Sequence, residues 1–555
     1  MKMTIRDVKF DARTCLRESD IRPSGLVLRN PTRQNLYSCA IQLGQASVMD
    51  NGALLQHTAP YFGRAAKNSF YVRDPEATYK GKLIDDLINW GSPEKGEFDN
   101  RPLPRQTYSK LYDRVISQLS NEKILFVVDA WSGRTPASKM PVRLITNRAP
   151  GALFASNIFI EPTPEELQDF SPEWTILHCP DVVAIPEDGI DDSAFIVTEL
   201  TSGITLIGGT RYHGQIKKAI FSVQNFRLPL AGILTMHAGA SEGTDGDSAI
   251  HAGLSGTGKT TLSNTGYPVA DDQIVVDIHA KNPDEVISNM EGGQYAKTEN
   301  LRRDKEPETF DAIQYGTTAE NIFCDDEGIA DYSNTTLTAN GRVGYPLAYV
   351  PTAKASGTSS APKNITFLTA DGFGVLPPVA RLTVESGMFH FACGFTSKMP
   401  GTEKGIDEPK PTFSAFFGKP FMPLKPSIYM DLLRNLVDAH GTKIWLVNTG
   451  WLGPNHPGRN RVDITTSKAI INAVRDGNVD MSEDNFWYEP TFKLHIPKTV
   501  PGVDAQLLDP RAAWTDTSAF QEQANKLAAI FQGALDKLVD IQPDVAAAAP
   551  SPLID

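Results

Sequence analysis

HAGLSGTGKTTLS, residues 251–263, sets Gly253, Gly256 and Gly258 around a following Lys259–Thr260 pair. The spacing Gly253-x4-Gly258-Lys259-Thr260 fits G-x-x-x-x-G-K-[ST]. Each part answers a physical need. The glycines let backbone N–H groups turn inward onto phosphates, and a helix starting near Lys259 adds its positive dipole end. Lys259 then reaches the β- and γ-phosphates, and the Thr260 hydroxyl binds Mg²⁺. Upstream, DSAIHA (247–252) reads as the strand that enters the loop. The run indicates a nucleoside triphosphate and leaves the reaction open.

Two flanking stretches bear on that reaction. VADD places Asp271 and Asp272 just downstream, either as a metal anchor at a strand end or as an exposed turn pair. Upstream lie GGTRYHGQIKKAIFS (208–222) and LTMHAG (234–239). Their Tyr212, Lys217, Lys218 and His237 can form a cationic pocket for a dianionic acid. Read singly, the lysines are a solvated pair and His237 a buried, hydrogen-bonded histidine.

At 555 residues the chain exceeds what one hydrophobic core supports, so two or more domains are expected, with a boundary near Pro229–Gly232. The division is 1–232 and 233–555, the second part carrying the glycine run. A composition of 41% hydrophobic and 21% charged residues is that of a globular protein. The net charge of −13 disfavours a nucleic-acid or anionic-membrane surface. The five cysteines, 15, 39, 179, 324 and 393, are scattered and form no CxxC pair, which points to reduced thiols. The N-terminus lacks the apolar core of a signal peptide, and no run approaches the ~20 apolar residues of a membrane span. A soluble cytoplasmic protein is expected.

SKLYDRVISQLS (109–120) has helical spacing, and KILFVVDAW (123–131) reads as a buried strand. GALFASNIFI (151–160), WTILHCP, AFIVTEL and ITLIGG are further strand candidates, and PTPEELQDF (162–170) a brief helix. TFLTADGFGVLPPVARLT (366–383) is a strand followed by a loop, and TKIWLVNTGW (442–451) another strand. Residues 394–412 are rich in glycine and proline and read as a mobile lid. DTSAFQEQANKLAAIFQGALDKLVD (516–540) puts Phe520, Ala524, Leu527, Phe531, Ala534 and Leu538 on one helical face, and the tail AAAAPSPLID reads as frayed.

Taken together, the ordered pieces LIGGTRYHGQIKKAIFS, LPLAGILTMHAGA, GLSGTGKTTLS, EGGQYAKT (291–298), RVGYP (342–346), FLTADGFGVLPPV, GFTSKMPGTEKG, PTFSAFFG and LVNTGW resemble the ATP-dependent phosphoenolpyruvate carboxykinases. The GTP-using carboxykinases carry a different, cysteine-containing loop. The resemblance implies a two-domain α/β fold: an N-terminal α/β domain, a C-terminal P-loop-containing mononucleotide-binding domain, and the active site in the cleft between them. It implies decarboxylation of oxaloacetate and phosphorylation of the resulting enolate by ATP, giving phosphoenolpyruvate, CO₂ and ADP, a gluconeogenic reaction.

By the same resemblance Lys218, His237 and Asp272 correspond to ligands of an enzyme-bound Mn²⁺, with Mg²⁺ and Thr260 accompanying ATP. Arg64, Tyr212, Lys217, Lys218 and Arg342 match substrate positions, and Arg342 would also neutralise the transferring phosphoryl group. Lys218, His237, the loop Gly253, Leu254, Ser255, Gly256, Thr257, Gly258, Lys259, Thr260 and Thr261, and then Lys297, Glu306, Arg342, Arg461, Val462 and Ser467 align around the nucleotide. Lys218, Lys259, Asp272 and Arg342 would carry the chemistry, and segment 394–405 would form the lid. Departures stand beside these matches. The family's substrate loop G-R-S-P-K-D reads GRAAKN here, Ser467 replaces the usual threonine, and Arg459 competes with Arg461 for one alignment position. The expected protein is a monomer whose partners are ATP, ADP, oxaloacetate, phosphoenolpyruvate and CO₂. Two rival readings are a non-catalytic nucleotide-binding relative with a degraded substrate loop, and another P-loop kinase.

Overall fold

A computed structural model of the chain describes residue 16 and residues 20–92, 97–254, 256–259, 262, 265–398, 410–454 and 461–553. It is a mixed α/β protein with several sheets. The chain folds into two compact units, Met1–Gln224 with Met290–Pro351, and Asn225–Asn289 with Thr352–Asp555. A boundary at 232 would cut the chain into two continuous pieces; the fold instead returns residues 290–351 to the first unit. The reason is strand pairing, because Thr318–Glu320 lies parallel to Leu54–Gln56 and antiparallel to Arg342–Pro346.

In the first unit an eight-stranded sheet runs Leu26–Arg29, Ile124–Ser132, Met140–Thr146, Trp174–Cys179, Ile204–Gly208, Phe195–Glu199, Ser69–Arg73 and Arg101–Pro104. The expected helix is Arg105–Asn121, and it buries Tyr108, Leu111, Val115 and Leu119 at helical spacing. These pack with Val127, Ile145, Leu177, Phe195 and Leu206 from the sheet. The expected strand at 151–160 is instead the helix Ala149–Ile158, nearly all of it buried. An apolar run of small residues has no face to reveal its period, and Pro150 at the first turn favours the helix. The brief helix expected at 162–170 is a series of turns. A second sheet joins Ser47–Val48, Leu54–Gln56, Thr318–Glu320, Arg342–Pro346 and Gly293–Lys297.

In the second unit an eight-stranded sheet has Ser248–Gly253, Pro362–Thr369 and Lys443–Asn448 as parallel neighbours at its centre. All three are buried along most of their length, which explains their near-continuous apolar reading. The helix Ile464–Arg475, capped by Asp463, packs Ile470, Ile471 and Val474 against Leu368, Trp445 and Val447. Within the lid segment, Phe395–Lys398 pairs antiparallel with Lys410–Phe413, while 399–405 lies outside the described residues.

The helix Thr517–Leu535 starts at Asp516, whose carboxylate accepts from the N–H groups of Ser518 and Ala519. It buries Phe520, Ala524, Leu527 and Phe531 of the expected face, whereas Ala534 is half-buried and Leu538 lies beyond the helix end. The tail does not fray over its described length. Val545 and Ala549 are buried, and Ser551 N–H donates to Thr491 O at 2.9 Å. Cys39, Cys179, Cys324 and Cys393 are free thiols. No helix among the described residues is long and apolar enough to cross a membrane.

Burial of histidine gives this fold a pH dependence. Desolvation lowers His178 and His390 to about 4 and His251 to about 3. The unfolded chain takes up these protons below the ordinary value of 6.5, and the folded chain does not until far lower pH. Stability is therefore lost as pH falls from 6.5 toward 4. His390 also keeps Nε2 buried without a hydrogen-bond partner. We predict that His390→Leu recovers about 2 kcal/mol of that loss at pH 5 and little at pH 8. Denaturant melts at both pH values measure the difference.

Candidate active site

The strand Ser248–Gly253 delivers the glycine run at its carboxyl end, where parallel sheets collect ligands. A Cβ on Gly253 would stand 2.6 Å from Thr257 Oγ1 and 2.8 Å from Leu368 Cβ, so the turn closes only over glycine. Gly256 and Gly258 both hold φ at +87°, which turns the backbone between them. Lys259 is helical, and Leu262 N–H donates to Gly258 O at 2.9 Å. Leu254 is half-buried beside the loop. Ser255, Thr260 and Thr261 lie outside the described residues.

The loop is braced from outside. Arg461 donates from Nη2 to Gly256 O at 3.1 Å and from Nε to Thr449 O at 2.9 Å. Thr449 Oγ1 donates to Thr257 O at 3.0 Å. Thr449 in turn follows Asn448, whose amide oxygen accepts from the N–H groups of Asp371 and Gly450. Asp371 is fully buried and accepts from the N–H groups of Phe373, Val375 and Leu376. Burial pushes its carboxyl up to about 6. Arg461 and Val462 also line a cavity of about 370 Å³ with Leu452, Asp463, Leu507 and Pro510. Ser467 is buried on the helix behind that lining. Arg459, the rival to Arg461, lies outside the described residues.

Three expected residues of the second unit converge. Asp272, just past the strand Tyr267–Ala270, accepts on Oδ1 from Lys259 Nζ at 2.8 Å. His237 Nε2 lies 2.9 Å from the same oxygen and 3.3 Å from Lys259 Nζ. His237 Nδ1 stands 2.5 Å from Phe417 O, an atom that only accepts, so Nδ1 carries a proton and Nε2 turns toward Asp272. The PTFSAFFG segment makes that contact possible. Phe416 and Phe417 sit at φ of +58° and +55°, a costly region for bulky residues, and both side chains are buried. Gly418 completes the approach, since a Cβ there would stand 2.8 Å from His237 Cβ.

An imidazole whose Nδ1–H is held by a carbonyl, so that Nε2 faces a carboxylate, suits a divalent cation once Nε2 gives up its proton. Among the described residues no three His, Cys, Asp or Glu side chains form a metal-binding group. A cation at His237 and Asp272 would therefore take its remaining ligands from other groups.

Lys218, Tyr212, Arg64, Lys217, Lys297, Glu306 and Arg342 belong to the first unit. Lys217 and Lys218 lie on the helix Gly214–Arg227. Lys217 is no solvated residue: it is 2% exposed and pairs with Glu291 Oε2 at 2.9 Å. Lys218 is half-buried, with Nζ 4.7 Å from the Phe221 ring centre. Lys297, Arg342, Glu320 and Gln56 face one another across four paired strands. Burial raises Glu320 to about 7, against hydrogen bonds from His213 N–H and the Tyr295 hydroxyl. The guanidinium of Arg342 lies 5.6 Å from the Tyr295 ring. Glu306 stands at the residue before the short helix Pro307–Asp311 without a side-chain cap bond, and Arg64 is exposed on its loop. Asn340 touches both Tyr212 and Arg342, and sequence reading passed over it, as it did Thr449 and Phe417.

The profile of the phosphoenolpyruvate carboxykinase family matches residues 26–506. The chain belongs to the ATP-dependent phosphoenolpyruvate carboxykinase family. A relative from Caldanaerobacter subterraneus, named phosphoenolpyruvate carboxykinase (ATP), is 39% identical over 94% of this chain and 97% of its own. One from Moorella thermoacetica is 39% identical over 93% of this chain and 95% of its own. One from Lysinibacillus sphaericus is 40% identical over 90% and 92%. As a member of this family the protein is an enzyme, a carboxy-lyase.

The Thr449 brace yields a prediction. Thr449→Val keeps the shape and strands the Thr257 carbonyl, a loss of about 1–3 kcal/mol at the loop. We expect the Kd for ATP to rise about tenfold, read by isothermal titration calorimetry. An unchanged Kd would show that the loop holds its shape without Thr449.

Proposed function

We propose that the protein converts oxaloacetate and ATP to phosphoenolpyruvate, CO₂ and ADP. The observation that carries this reading is the meeting of Lys259, Asp272 and His237 within 3.3 Å at the mouth of a glycine phosphate loop, in a chain of this family. A loop that merely binds a nucleotide has no need of a histidine oriented onto its carboxylate there.

On this reading the first unit is the substrate-side domain and the second the mononucleotide-binding domain. Arg64 and Tyr212 bind a carboxylate of oxaloacetate, and Lys217, fixed by Glu291, stands on the side from which CO₂ departs. Cleavage of the carbon–carbon bond leaves its electron pair as the enolate. The enolate oxygen attacks the γ-phosphorus in line, and the bond to the β-phosphate oxygen breaks to release ADP. Backbone N–H groups at Gly256–Gly258 hold the phosphates. Lys259 and Arg342 balance charge that spreads over the transferring oxygens. Lys297, Glu306, Arg461, Val462 and Ser467 surround the nucleoside part, and the cavity beside Arg461 suits a planar base.

His237, Asp272 and Lys218 would hold Mn²⁺, and Thr260 would hold the Mg²⁺ that accompanies ATP. A divalent cation bound there supplies Lewis-acid stabilisation of developing negative charge. For that role Lys218 must present a neutral amine, which a nearby cation and partial burial favour. The segment 394–405 would close over the site to exclude water from the enolate. The same reading makes the protein a cytoplasmic monomer.

The test is nucleoside diphosphate release by the purified protein with Mn²⁺ and Mg²⁺, comparing ATP with GTP. Oxaloacetate-dependent ADP formation is expected with ATP; the absence of ADP from ATP and of GDP from GTP would refute the activity. Lys218→Met should lower turnover by about a thousandfold while calorimetry finds ATP binding nearly intact. Turnover within a few-fold of wild type would remove Lys218 from the metal set.

A further inference from the structure

Asn340 stands two residues before Arg342, in the segment that leads into the strand Arg342–Pro346. Its amide joins three chain segments of the first unit. Nδ2 donates to Phe62 O at 2.8 Å and to the Tyr212 hydroxyl oxygen at 3.1 Å. Oδ1 accepts from Arg342 Nε at 3.0 Å. The orientation of the amide is forced from both ends. A carbonyl only accepts, so Nδ2 must face Phe62; a guanidinium only donates, so Oδ1 must face Arg342.

Each contact acts on a proposed substrate group. Phe62 precedes Arg64 by two residues, so the bond to its carbonyl holds the loop that carries Arg64. Because the Tyr212 oxygen accepts from Asn340, the phenol's own hydrogen points away as a donor for a carboxylate. The bond to Nε fixes the guanidinium plane of Arg342, which the Tyr295 ring flanks.

We propose that Asn340 is the positioning residue that sets Arg64, Tyr212 and Arg342 in a common geometry for the dicarboxylate substrate. This rests on the carboxykinase reading. It also bears on the altered loop, where GRAAKN lacks the family's proline and aspartate. Here the loop is tied by a side chain from a distant segment, through the Phe62 carbonyl.

Asn340→Ala and Asn340→Asp separate positioning from space-filling. Aspartate has the same shape and still accepts from Arg342, but it has no donor for Phe62 O or Tyr212 and sets a negative charge against both oxygens. Both variants should lose about tenfold or more in kcat/KM for oxaloacetate, mainly through KM. The Kd for ATP, by calorimetry, should stay within about twofold. In a Tyr212→Phe background, Asn340→Ala should cost less than it does in the wild type. Asn340→Asp kinetics close to wild type would overturn the proposal, and so would a parallel loss of ATP affinity or strict additivity with Tyr212→Phe. A wild-type protein without oxaloacetate-dependent ADP release would instead overturn the carboxykinase reading, and this inference with it.

Discussion

One carboxylate oxygen organises the second unit's share of the site. Asp272 Oδ1 lies 2.8 Å from the Lys259 ammonium and 2.9 Å from an imidazole nitrogen, and its side chain is only 17% exposed. A charge so far removed from water must be compensated by its neighbours. That requirement fixes where three separate segments end: the strand before Asp271, the first turn after Gly258, and the link that carries His237. The phosphate loop can take its shape on its own glycines. Its lysine can point usefully only because a carboxylate waits at a fixed distance.

The same logic runs outward through neutral groups. His237 is steered by a backbone carbonyl whose residue sits in a left-handed conformation, and buried aromatic packing holds that conformation in place. The Phe417 ring lies tilted 5.3 Å from Phe367, and Phe416 meets Phe391 edge-on at 5.0 Å. Packing energy from the core thus maintains a strained backbone beside the proposed metal ligands. On the other side of the loop, Asp371, Asn448 and Thr449 form a buried hydrogen-bonded support with few degrees of freedom.

Sequence made the charged and glycine positions legible because their chemistry is in the side chain. The loop and the strands flanking it follow from residue type, spacing and apolar runs, whereas Asp272 and His237 gain their roles only through the family resemblance. Thr449, Phe417 and Asn340 escaped because their work is done on backbone carbonyls or on partners far along the chain. The helix Ala149–Ile158 escaped for a different reason. Its small apolar residues bury every face, so periodicity carried no signal. The tail misled in the opposite sense, since alanine and proline look frayed until Val545 and Ala549 find a groove to fill.

The return of residues 290–351 to the first unit has a consequence for synthesis. The chain passes between units after residues 224, 289 and 351. When residue 224 leaves the ribosome, the eight-stranded sheet has all its strands, but the five-stranded one has only Ser47–Val48 and Leu54–Gln56. Its remaining strands, the one beginning at Arg342 among them, emerge only after a length of the second unit has been made. The first unit must therefore wait, with a sheet edge open beside the Gln56 row, while its neighbour begins to form. Vectorial folding here is interleaved: the nascent chain finishes its first-begun half only after starting the second.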